Sequence, residues 1–90
     1  MNIITASRTR EALRRLADLH IHAIRMAGIA LEKDIITMQE YSTYVDHVTD
    51  ASFSAAQAVA GMKGITTLGC ILDSEMPIHT THINLTQQDL

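Results

Sequence analysis

Five histidines in ninety residues, with one cysteine and ten carboxylates, are the side chains from which a metal site or a nucleophile would be built. Their spacing does not build one. His20 and His22 lie two apart in a helical stretch, roughly 200° around its axis, so they cannot hold one ion together. His79 and His82 would fall on opposite faces of a strand. His47 stands near Asp46 and Asp50 in sequence, without the ligand intervals of a zinc site. "EKDIITMQE" resembles the end of a calcium loop, but loop positions one and three would be Ile29 and Leu31, which have no oxygen to offer. The expectation is no metal and no other cofactor, with His20 a hydrogen-bonded group at the edge of the core.

Cys70 is the lone thiol. It sits in an apolar run, where a thiol holds its proton and packs as a small hydrophobe. Serines and threonines are plentiful, but no nucleophile elbow or phosphate loop surrounds them. Nothing here reads as an enzyme. An unpaired cysteine points to a reducing compartment, and the N-terminus has no continuous apolar stretch of the signal-peptide kind. No run of 18 apolar residues reads as a membrane span. A cytoplasmic protein that does not engage a membrane is expected.

The arginines are the stronger clue. "SRTREALRRL" (7–16) holds Arg8, Arg10, Arg14 and Arg15 at what reads as the start of a helix, with Arg25 further along. A helix start carries partial positive charge and ordinarily favours acids. Glu11 can pair with Arg15 and Arg14 with Asp18, each at i,i+4, which leaves Arg8 and Arg10 without local partners. An acidic surface or a phosphate would relieve that crowding. The five arginines are therefore the candidate partner-binding residues. Beyond Arg25 only Lys33 and Lys63 stand against eight acids. So segregated a charge, with aromatic residues at 3% of the chain, disfavours an extended nucleic-acid surface. It suits a larger protein or nucleoprotein complex.

The elements that must position these residues follow from periodicity. From about residue 9 to 31, two adjacent ridges repeat at i, i+3, i+4: Ala12-Leu16-Leu19-Ala23-Met26-Ala30 and Leu13-Ala17-His20-Ile24-Ala27-Leu31. Ile21 and Ile29 fall on the opposite side, and Gly28 offers a place for another backbone to approach. A second helix, about 37 to 61, opens on a capping box. Thr37 is its N-cap and Glu40 its N3 residue, with Ile36 placed to staple Tyr41. Its seam is Tyr41, Val45, Val48, Ser52, Ala55, Val59 and Met62, and Gly61 is the expected C' residue. "ITTLGCIL" (65–72) and "IHTTHINL" (78–85), parted by "DSEMP", read as a β-hairpin. In the competing reading 61–72 is helix and the last 18 residues form an extended tail.

The expected fold is thus one α+β domain over 1–90, an antiparallel two-helix hairpin followed by a short C-terminal β-hairpin, with an all-α form as the alternative. Eleven alanines and a single phenylalanine make its core thin, and small domains are marginal to begin with, so a second copy or a partner is expected to complete it. The expected function is a small non-catalytic binding protein that docks on a larger complex as a regulator or inhibitor. Small phage-encoded inhibitors of host-defence complexes are of this style, by analogy alone. The alternative is a homodimeric, helix-rich nucleic-acid-binding regulator.

Overall fold

A computed structural model describes residues 3–76, with side chains from residue 6 onward. Two helices follow one another, α1 (Ile3–Glu32) and α2 (Met38–Glu75). α1 begins six residues earlier than its apolar period suggests. Arg8 and Arg10 therefore lie beyond the first turn, and no acid occupies that turn. Of the two ridges, the one running through Leu13, Ala17, His20, Ile24 and Ala27 is buried. The other is left largely uncovered, with Leu19 67% and Met26 52% exposed.

Five residues, 33–37, join the helices. The Ile35 N–H donates to the Ala30 carbonyl and the Asp34 N–H to that of Leu31, while Asp34 takes a φ of 58°. This is a Schellman ending with aspartate where glycine is commoner. α2 then starts where the capping box places it. The Glu40 N–H donates to Thr37 Oγ1 at 3.1 Å, and the Thr37 N–H donates to Glu40 Oε1 at 2.8 Å. Ile36 and Tyr41 are both half-buried beside it.

Gly61 takes a positive φ, 62°, but with ψ −145° rather than the αL conformation expected of a C' residue, and the chain re-enters a helix immediately after it. Ala60 and Gly61 divide α2 into a first arm (38–59) and a second arm (62–75). The second arm folds back on the first. A Cβ at Gly64 would run into the carbonyl oxygen of Ala56, and one at Gly69 would lie 3.9 Å from the Phe53 ring. An eight-residue interval spans about 12 Å in a straight helix, so contact across it requires the reversal. Gly28, by contrast, has no neighbour within 4 Å of where its Cβ would be, and the close backbone approach belongs to Gly64.

The hairpin expected after Gly64 is corrected by this arrangement. Residues 65–72 are helical, and the matching stretch 78–85 lies outside the described residues. Ile65, Thr66, Thr67 and Ile71 favour strands only weakly. Gly64, Leu68 and Leu72 recur at i, i+4 and bury one helical stripe instead. The all-α alternative fits the described residues, among which there is no strand.

Leu13, Ala17 and Ile21 of α1, Ala56 of the first arm, and Leu68 and Leu72 of the second form the core, with Leu16, Phe53, Ile71 and Met76 packed around it. Ile21 is thereby buried at 7% exposure rather than facing solvent, because the second arm covers that flank of α1. The α2 seam also drifts. Ser52 and Ala56 are buried, whereas Val59 and Met62, expected inside, are 41% and 72% exposed.

α2 contains an 18-residue window as long and apolar as a membrane span, where the sequence leads one to expect none, with 22% of that window buried. The likeness rests on length and composition alone, and the reversal at Ala60–Gly61 interrupts the helix that carries it.

Candidate functional site

The arginine cluster does not form one patch. At 100° per residue, Arg8 and Arg15 lie on one flank of α1, and Arg10, Arg14 and Arg25 on the other. Local pairing takes up part of the charge, as the spacing suggested: Arg15 reaches Glu11 at 2.9 Å and Arg14 reaches Asp18 at 3.4 Å. A third pair comes from the fold alone. Arg14 donates to Glu75 Oε1 at 2.8 Å across 61 residues of sequence, tying the end of α2 to α1. The Glu75 hydrogen bond, then the attraction of Glu75 and Asp18, pushes the Arg14 pKa above its ordinary value. Arg14 is thus a cross-brace between α1 and the end of α2.

Arg8, Arg10 and Arg25 are exposed, and none meets a carboxylate among the described residues. Arg10 has company that sequence spacing did not indicate. The reversal at Gly61 brings Lys63 to the same end of the molecule, where Arg10 and Lys63 flank a cleft of about 420 Å³ lined also by Thr9, Leu13, Val59 and Thr67. Lys63 is exposed and likewise without an acid partner among the described residues. The opposite end, around the interhelical turn and the start of α2, exposes Glu32, Asp34, Glu40, Asp46 and Asp50 against Lys33. Among the described residues the charges left without an ion pair thus separate along the helix pair, basic toward the reversal and acidic toward the interhelical turn.

A second surface lies on the side of the helix pair away from the core. Leu19, Ala23 and Met26 of α1 face Tyr44, Val48 and Ala51 of α2 across a shallow groove of about 480 Å³. His20 and Ser52 close its floor, with His20 Nδ1 3.0 Å from Ser52 Oγ. His20 is 7% exposed and hydrogen-bonded, the place expected of it. The groove was written in the sequence as a ridge too wide for one neighbouring helix to cover.

Among the described residues no three of the His, Cys, Asp and Glu side chains come together as metal ligands. Cys70 is exposed on the second arm rather than packed as a small hydrophobe. Its suggested partners His79 and His82 lie outside the described residues. No family model, curated protein or solved structure matches the chain.

Proposed function

We propose that this chain is a non-catalytic binding protein that docks, by its basic end, on an acidic surface of a larger protein or nucleoprotein complex and regulates or inhibits it. The observation that supports the reading is the charge left over once local pairs are made. Arg8, Arg10 and Lys63 stand exposed at one end, without carboxylate partners among the described residues, while the acids Glu32, Asp34, Glu40, Asp46 and Asp50, which have no ion-pair partner among those residues, lie toward the other. Complementary fields steer and orient association more than they add raw affinity. An apolar cleft between Arg10 and Lys63 adds contact area next to the charge. Arg25 shares the flank of Arg10 but lies about 22 Å further along α1, outside this end, and Arg14 and Arg15 take part only by exchanging an existing pair.

The test is capture from the source cell on the immobilised chain, identification of the retained macromolecule, and its affinity for the wild type and for Arg8→Ala with Arg10→Ala. The double variant should bind at least about ten-fold more weakly, the equivalent of about 1.4 kcal/mol, with unfolding unchanged. Undiminished affinity would assign the arginines to solvated surface. Retention of DNA or RNA, with affinity falling steeply as salt rises, would favour the homodimeric nucleic-acid regulator instead.

A further inference from the structure

We propose that the groove formed by Leu19, Ala23, Met26, Tyr44, Val48 and Ala51 seats a second copy of this chain, laid antiparallel about a two-fold axis near Ala23. Leu19, Met26 and Tyr44 are 67%, 52% and 44% exposed and line one continuous surface. Single exposed apolar side chains are ordinary, but a contiguous apolar patch marks an interaction site. The opposite flank of α1 already has its cover in the second arm of α2. This flank has none among the described residues.

Charge chooses the occupant and its direction. At one end of the groove face Arg8 and Arg15 flank Ala12, the next small residue of the same ridge, and Glu11 beside them pairs with Arg15 and leaves this end one positive charge in excess. At the other end Glu40 lies beside Tyr44. The groove's midpoint along α1 falls between Leu19 and Met26. At 1.5 Å per residue, Arg15 lies about 11 Å from it toward the basic end. Ser52 is level with His20, so Glu40, twelve residues earlier, lies about 14 Å from the midpoint in the other direction. A two-fold axis at the midpoint therefore carries Arg15 of one copy to the level of Glu40 of the other, twice, where the guanidinium exchanges or shares its Glu11 pair. It also sets Leu19 of each copy against Met26 of the other across the small Ala23. A parallel pairing would stack Arg15 on Arg15, and like charges repel. The surface is self-complementary, as an isologous interface requires.

Sedimentation equilibrium of the purified full chain across the micromolar range decides the matter, independently of any docking partner. The expected mass is twice 9.9 kDa. Leu19→Asp with Met26→Asp should give a monomer of unchanged helical circular dichroism, since both side chains are exposed within one copy. Arg15→Glu and Glu40→Lys should each weaken the dimer at least about ten-fold at low salt. The two together, which restore opposite charges across the axis, should recover most of the loss. A monomer throughout would overturn the proposal and leave the groove to residues 77–90 or to a foreign partner. A dimer that survives the apolar pair of substitutions would overturn it by placing the interface elsewhere. A dimer indifferent to Arg15→Glu, or one the double charge reversal does not rescue, would overturn the antiparallel register.

Discussion

Replacing Gly64 by alanine sets two effects of known sign against each other. Alanine is favoured over glycine within a helix by about 1 kcal/mol, so an isolated second arm would gain from the change. In the folded chain the new methyl would meet the Ala56 carbonyl oxygen, with the Ala56 carbonyl carbon at 3.0 Å and the Ala60 Cβ at 3.2 Å. None of these is the end of a flexible side chain, so relief requires the two arms to move apart as bodies. Overpacking of this kind costs about 1 to 3 kcal/mol, and the rigidity of the obstacle argues for the upper end. The net expectation is a loss of about 2 kcal/mol after the propensity gain is subtracted. Gly28→Ala supplies the control, since nothing lies within 4 Å of its Cβ position and it should gain about 1 kcal/mol. The two variants should therefore differ by about 3 kcal/mol, some two powers of ten in the folding equilibrium. Urea titration followed by circular dichroism measures both, compared at equal slope. If Gly64→Ala stabilises the chain as Gly28→Ala does, the arms of α2 do not pack through Gly64 and the reversal is wrong.

Thr37→Ala should destabilise by about 1 kcal/mol in the same titration, because it removes the acceptor for the Glu40 N–H. Thr37→Ser should keep most of it. Leu68 is fully buried, so Leu68→Ala should cost about 2 to 5 kcal/mol, whereas Cys70→Ser, two residues on at an exposed position, should stay within about 0.5 kcal/mol. Near-equal effects at the two sites would mean that residues 65–72 do not present one helical stripe to the core.

What could be read from the residues divides by range. The capping box at Thr37 and Glu40 was legible because both partners lie within four residues and the interaction is local. So was the Glu11–Arg15 pair. The buried ridge of α1 was legible from its period, and the exposed ridge beside it was the sign of a helix wider in apolar surface than its neighbour. Gly61 was read as a helix end, which its positive φ bears out, but a glycine there looks the same whether the chain leaves the helix or doubles back into another. The weight of Ile and Thr in 65–72 then favoured strands, and only the tertiary cover that Leu13 and Ala17 give to Leu68 and Leu72 decides otherwise. The brace from Arg14 to Glu75 and the position of Lys63 beside Arg10 both depend on that reversal, so no local pattern announced them.

The central claim is that the basic end of the helices is the face that meets a partner. Hydrogen exchange of the backbone amides, with and without the captured partner, tests it most directly, because it maps contact without altering a residue. The account predicts slowed exchange over residues 6–15 of α1 and 59–67 around the reversal, with 38–50 unchanged. Protection confined to 38–50, leaving the arginine-bearing turns of α1 as open as in the free chain, would contradict it.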